Sequence, residues 1–149
     1  DINIFKTKFS SHKKFIVEEF IKGKELTVST INFSNKIEAL GVTEIKHDKS
    51  FFDYQSKYSK GLAKHILPAK ITKKNYEKCL NLAIRAHSLL GCKSIARTDF
   101  ILNTNNNKIY FLETNSQPGL TSVSLLPEQA KFKKISFPEI ILNIIQNTT

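Results

Sequence analysis

The most constraining stretch of this chain is the pair of runs IARTDFIL (95–102) and KIYFLET (108–114), which flank the Asn-rich segment NTNNN. Both runs are rich in β-branched and aromatic residues and are separated by turn-forming residues, the pattern of a β-hairpin. Side chains alternate along a strand, so Arg97 and Asp99 share one face, and Glu113 and Asn115 share one on the partner. If Asp99 lies opposite Glu113, the register also sets Arg97 opposite Asn115 and leaves a five-residue loop. Directly opposed residues have Cβ atoms about 4.5–5.5 Å apart, so two carboxylates would be pressed together. That costs stability unless a cation lies between them. Two carboxylates plus an amide oxygen form a hard, all-oxygen donor set that suits Mg²⁺ and leaves coordination positions for water and phosphate. The alternative is a solvated face with Lys partners. Against it stand Ile95, Phe100, Ile101, Leu102, Ile109, Phe111 and Leu112, which predict that both strands are largely buried.

The segment that follows, NSQPGLTSVSLLPEQA, adds to this pattern. Pro118 and Gly119 force a turn, and Thr121, Ser122 and Ser124 stand where a short helix begins. Free backbone N–H groups and hydroxyls at a helix start can bind an anion, and they can equally be a simple cap. The final SFPEIILNIIQN reads as an amphipathic packing helix.

Earlier in the chain, FIVEEFI (15–21), KELTVSTINF (24–33) and KIEALGVTEI (36–45) read as a meander of three strands, with turns at Lys22–Gly23 and Ser34–Asn35. From His47 to Pro68 no period is sustained, which predicts a long loop. Thr72 then caps a helix whose apolar stripe runs Tyr76, Leu80, Ala83, Ile84, His87 and Leu90, ending at Gly91. His87 on that stripe reads as a packed core histidine rather than a ligand.

A length of 149 residues with 40% apolar and 24% charged residues is that of one globular domain, which excludes disordered, collagenous and membrane-spanning classes. The charge is +10, from 23 Lys+Arg against 13 Asp+Glu, yet only Arg85 and Arg97 are arginines. Nucleic-acid readers use Arg for bidentate contacts, so a chain rich in Lys, Ile and Asn is better explained by AT-rich codon usage than by a nucleic-acid site. There is no 18-residue apolar run and no signal-peptide core at the N-terminus. Cys79 and Cys92 lack neighbours at metal-ligand spacing and read as reduced thiols of a cytoplasmic protein. The chain contains no Met, so Asp1 is expected not to be the start of the gene product.

Four segments, FIVEEFIKGKELTVS, FFDYQSKYSKG…LPA, SIARTDF and FLETNSQPGLTSVSLLP, resemble the C-terminal half of the D-alanine–D-alanine ligase family of ATP-grasp enzymes. The resemblance runs in order over residues 15–147, and its most specific part is ExN followed by PGxTxxS. It implies an α+β fold, the C-terminal subdomain of an ATP-grasp protein, with a mainly antiparallel sheet and flanking helices. Residues 1–46 would be the tail of the central subdomain and the first strands of the nucleotide site. Residues 47–68 would be an omega-type loop, and residues 69–149 the catalytic C-terminal subdomain.

The resemblance also implies roles. Glu18 would receive the adenine amino group, the backbone at Glu19 and Phe20 would line the hinge beside the base, and Glu25 would hold the ribose from across a tight hairpin. Lys57 would reach the ATP phosphates and Tyr58 would bond towards the substrate side, although Phe52 stands where many members have Tyr. Asp99, Glu113 and Asn115 would hold Mg²⁺ (or Mn²⁺), Arg97 and the Gly119 amide would stabilise a tetrahedral oxyanion, and Ser124 with Leu125 would bind the second substrate's carboxylate. The implied activity is ATP-dependent joining of two D-alanines through an acyl phosphate, for peptidoglycan synthesis, in a cytoplasmic enzyme that is a homodimer by family analogy. No nucleic-acid or membrane partner is implied. The family's first-substrate domain and its glycine loop over the phosphates have no counterpart here, since Gly23, Gly41, Gly61, Gly91 and Gly119 are dispersed. The chain alone is therefore expected to be inactive or nearly so. Two alternatives remain: another ATP-grasp ligase, such as one making D-alanyl-D-lactate, and a basic nucleic-acid-binding module.

Overall fold

A computed structural model of the chain describes residues 16–47 and 63–148. Five strands form an antiparallel sheet: β1 (Lys24–Phe33), β2 (Lys36–His47), β3 (Ala63–Ile66), β4 (Ile95–Leu102) and β5 (Ile109–Asn115). Their order is β3-β2-β1-β4-β5. Among the described residues three helices flank the sheet, α1 (Lys73–Leu89), α2 (Leu125–Phe132) and α3 (Phe137–Thr148). The expected α+β architecture with a mainly antiparallel sheet is the one observed.

β1 and β2 are joined through Ser34 and Asn35, both at positive φ (48° and 66°), the conformation a tight primed hairpin turn demands. Along β1, Leu26 and Val28 point to one face, where they pack with Val42, Phe100 and Leu102 against Cys79 and Ala83 of α1. Ile31, on the opposite face, packs with Leu40 and Ile95 against Leu126 and Ala130 of α2 and Ile140 of α3. β1 is thus covered on both sides, and Leu26 through Ile31 are all buried.

α1 starts where its capping residue predicts: Thr72 Oγ1 accepts from Asn75 N at 3.3 Å. It stops at Gly91, whose φ of +63° is left-handed and carries no strain for glycine. The apolar stripe holds with two differences. Cys79, absent from the expected stripe, lies fully buried at its centre, and Leu90 at its end is 61% exposed. Both cysteines are free, and burial pushes the Cys79 thiol up to about 11. His87 is a core residue as expected, fully buried, with Nδ1 2.8 Å from Thr30 Oγ1.

Two expectations are corrected. FIVEEFI forms no strand: residues 16–22 are irregular, and Ile16, Val17 and Phe20 are at least 80% exposed. β1 itself pairs with β2 and β4, so neither of its edges is open to this segment. The hairpin expected to bring Glu18 and Glu25 together is therefore not formed. Of the loop expected over 47–68, residues 48–62 lie outside the described residues, and Ala63–Ile66 form β3, which adds to the edge of β2 with Glu44 opposite Ile66. Four residues, AKHI, carry too little alternation to announce themselves.

His87 supplies a pH test. Burial holds its pKa below the ordinary 6.5, so the unfolded chain takes up the proton first as pH falls. Its neutral form therefore favours folding fully above about pH 6.5, and that contribution fades below it. The thermal midpoint is expected to fall between pH 7.5 and 5.5 by more in the natural chain than in His87→Gln. Parallel curves for the two proteins would contradict this.

Candidate functional site

The hairpin has the register read from the sequence, with Asp99 opposite Glu113 and Arg97 opposite Asn115. An irregularity between Asp99 and Phe100 then pairs Phe100 with Phe111, so that Leu112 has no counterpart. The extra residue moves the turn, which spans 103–108 rather than the five residues expected. Burial of the two strands differs from expectation. β4 is largely buried, whereas β5 contains no buried residue, with Phe111 54% and Leu112 49% exposed. β5 is the edge of the sheet, so its apolar residues have a neighbour on one side only.

The face that carries the carboxylates is the one α2 packs on. β1 lies antiparallel to β4 with Thr27 opposite Asp99, Ser29 opposite Arg97 and Glu25 opposite Ile101. Alternation therefore sets Glu25, Thr27, Arg97, Asp99, Glu113 and Asn115 on a single face. Arg97 clamps Asp99 with both arms of its guanidinium, Nε to Oδ1 at 3.0 Å and Nη2 to Oδ2 at 2.9 Å. Thr27 Oγ1 donates a further bond to Asp99 Oδ1. With side chains only 21% and 15% exposed, the Arg97–Asp99 pair is charge-compensated where water screens it weakly. Glu113 is exposed.

This donor set fits a hard divalent cation. A carboxylate offers about four lone-pair positions and an amide oxygen two. Three of Asp99's positions are used, and Asn115 Oδ1 uses one to accept from Gln117 N at 2.8 Å. The Glu113 carboxylate is exposed and has no side-chain hydrogen bond or ion pair with another described residue. Among the described residues no group of three or more His, Cys, Asp or Glu is assembled for a metal.

Beyond Asn115 the chain turns through buried Pro118 and exposed Gly119 to Ser124, the residue preceding α2. Ser124 does not cap the helix with its side chain. Its hydroxyl turns back instead, accepting from Thr121 N at 3.1 Å and lying 2.8 Å from Thr121 Oγ1. The first-turn amides of α2 are left without a side-chain acceptor from that residue, which is the condition for receiving an anion. Leu125 is the first residue of the helix. Gly119 is needed here for space, because a Cβ at this position would sit 2.7 Å from Ser124 Oγ.

Among the remaining expected residues, Glu25 shares this face from β1. Glu18, Glu19 and Phe20 lie on irregular, exposed backbone, Phe20 being 88% exposed. Glu25 is half-buried on β1. Lys57, Tyr58 and Phe52 lie outside the described residues. Sequence reasoning missed Thr27, Gln129 and the His65–Glu128 pair, in which Nδ1 and Oε2 are 2.8 Å apart between β3 and α2. Thr27 had a usable signal, since it alternates with Glu25 on one face of a strand. Gln129 and His65 had none, because their partners are remote in the chain.

An antiparallel sheet with opposed carboxylates on one face, followed by a glycine–hydroxyl loop into a helix, is the arrangement of an ATP-grasp ligase. The family model described as "D-ala D-ala ligase C-terminus" matches residues 2–146, and the chain belongs to that family. It is 43% identical over 137 residues to the D-alanine–D-alanine ligase of Wolbachia pipientis wMel, covering 91% of this chain and 42% of that one. With the ligase of Rhodospirillum rubrum it is 40% identical over 134 residues, covering 90% and 42% respectively. Among solved structures, the D-alanine–D-alanine ligase of Bacillus anthracis superposes with a TM-score of 0.75 at 27% identity, covering 98% of this chain and 46% of that one. The VanG D-Ala:D-Ser ligase of Enterococcus faecalis gives 0.72 at 28% identity, covering 88% and 38%. The chain thus spans about two fifths of the length of the curated relatives it matches.

The Gly119–Ser124 approach can be tested directly. In Gly119→Ala the new methyl is expected to displace the Ser124 hydroxyl from Thr121, at a stability cost on the order of 1 kcal/mol in urea unfolding. In a Ser124→Ala background the same substitution should cost close to nothing. An equal loss in both backgrounds would mean that the two residues do not compete for that space.

Proposed function

We propose that this chain carries the cation-binding face and the acceptor site of a D-alanine–D-alanine ligase, working with ATP in the cytoplasm to supply peptidoglycan precursors. The observation that carries this reading is the direct opposition of Asp99 and Glu113, with Arg97 on the same face, in a chain of this family. A structure of the Bacillus anthracis relative is a complex with ATP, which supports nucleotide use by this chain as well. On this reading residues 1–46 belong to the nucleotide side, 47–68 to an omega-type loop bearing Lys57 and Tyr58, and 69–149 to the catalytic subdomain. Glu18, Glu19, Phe20 and Glu25 are assigned to the adenosine.

The reaction divides into two steps. A carboxylate oxygen of the first D-alanine attacks the γ-phosphorus of ATP, the bond to the β-phosphate oxygen breaks, and ADP leaves. The amine of the second D-alanine then attacks the acyl phosphate carbon, phosphate is expelled, and a proton is lost from nitrogen. Asp99, Glu113 and Asn115 would hold Mg²⁺ or Mn²⁺, which neutralises the phosphate charge that is the main obstacle to transfer. Arg97, now paired with Asp99, is placed two residues along the strand to exchange that partner for the oxyanion formed in the second step, together with the Gly119 N–H. Ser124 and the start of α2 would receive the acceptor's carboxylate. Crowding of charge explains why Arg97 must pair with Asp99 before substrate arrives: an uncompensated carboxylate on this half-buried face would be costly.

In the gene product that contains this chain, Asp99→Asn and Glu113→Gln are each expected to lower D-alanine-dependent phosphate release at least about 100-fold, with the circular dichroism spectrum retained. Full activity in both would overturn the assignment. The 149-residue chain alone is expected to release no phosphate in response to D-alanine. The likeness to a D-Ala:D-Ser ligase makes the identity of the acceptor a separate question, which product analysis with D-alanine, D-serine and D-lactate answers. The basic charge calls for no nucleic-acid function, since one of only two arginines is committed to Asp99. A homodimer, as in the family analogy, is expected for the gene product and is checked by sedimentation.

A further inference from the structure

Gln129 is the fully buried polar residue of α2, and its side-chain amide makes three bonds to the sheet. Oε1 accepts from Ser29 N at 2.7 Å, while Nε2 donates to Thr27 O at 3.2 Å and to Thr43 Oγ1 at 2.9 Å. The first two partners are backbone groups of β1 beside the irregularity between Ser29 and Thr30, where the β1–β2 register shifts. Gln129 thus completes backbone hydrogen bonding at a place where the sheet itself is interrupted. Thr27, whose carbonyl it binds, is also the residue whose hydroxyl bonds Asp99, and Ser29 is the residue opposite Arg97. The same helix begins one residue after Ser124.

We infer that Gln129 is a positioning residue that sets the start of α2, and with it the acceptor-carboxylate site at Ser124 and Leu125, at a fixed place relative to the Asp99–Arg97 pair. The inference rests on the ligase reading above for its kinetic part. A buried amide with all three bonds made cannot slide along the strand without leaving a donor or acceptor unpaired, whereas apolar neighbours such as Leu126 and Ala130 tolerate small shifts. The apolar contacts hold α2 against the sheet, and Gln129 fixes its register. Neighbouring Glu128 reaches His65 on β3 and braces the same turn from the other side.

Two variants separate positioning from general support. Gln129→Met keeps the volume and removes all three bonds. Thr43→Val removes the Thr43 bond alone and serves if the first variant fails to fold. Hydrogen exchange on the full chain is expected to quicken at residues 119–126 while β4 and β5 keep their protection. In the gene product, KM for the acceptor amino acid is expected to rise about fivefold or more, with KM for ATP within about twofold of the natural protein. Uniform loss of protection across the sheet, no change at 119–126, or equal rises in both KM values would each overturn the inference. Absence of any D-alanine-dependent activity in the natural protein would instead overturn the ligase reading, and the exchange pattern would still decide the role of Gln129.

Discussion

The antiparallel pairing of β1 with β4 sets almost everything else in this molecule. β1 is covered by α1 on one face and by α2 and α3 on the other, so its side chains must sort by strict alternation. One face of the pair carries Leu26, Val28, Phe100 and Leu102 and buries the larger core, with Thr30 and Thr98 buried among them. The other carries Thr27 opposite Asp99 and Ser29 opposite Arg97. A slip of one residue would send Asp99 and Arg97 into the apolar layer beneath α1 and expose Phe100. The hydrophobic core therefore holds the carboxylate in place.

A charged pair on a face that is four-fifths shielded from water needs compensation, and the compensation is local. Arg97 and Asp99 are two residues apart on one strand, so alternation brings their side chains side by side without help from a remote element. Thr27 adds a neutral donor from the neighbouring strand. Glu113 needs no such partner because it sits on the exposed edge strand. The two opposed carboxylates thus differ in character, one shielded and clamped, the other solvated and available.

Much of the site was legible because it is built from neighbours in the chain. The hairpin register, the pairing of Asp99 with Glu113, the Thr72 cap and the core position of His87 all follow from periodicity and local turn chemistry. What misled was burial and partnership. FIVEEFI has the composition of a strand but finds both edges of β1, the strand it precedes, already paired, and β5 has the apolar residues of an interior strand but lies at the rim. Composition states what a segment can do, while the number of edges and faces available is a property of the assembled sheet.

The sequence by itself determined most of the elements, though not β3, the alternation that gathers Arg97, Asp99, Glu113 and Asn115 on one face, and the family to which the motifs belong. Tertiary structure alone decided that Arg97 clamps Asp99, that Ser124 turns back to Thr121 rather than capping α2, and that Gln129 joins this helix to the interrupted edge between β1 and β2. The division has a physical cause. Alternation and capping act over a few residues and leave a mark in local pattern, whereas Gln129 and Ser29 lie 100 residues apart, and only the packing of α2 on the sheet brings their hydrogen-bonding groups within reach.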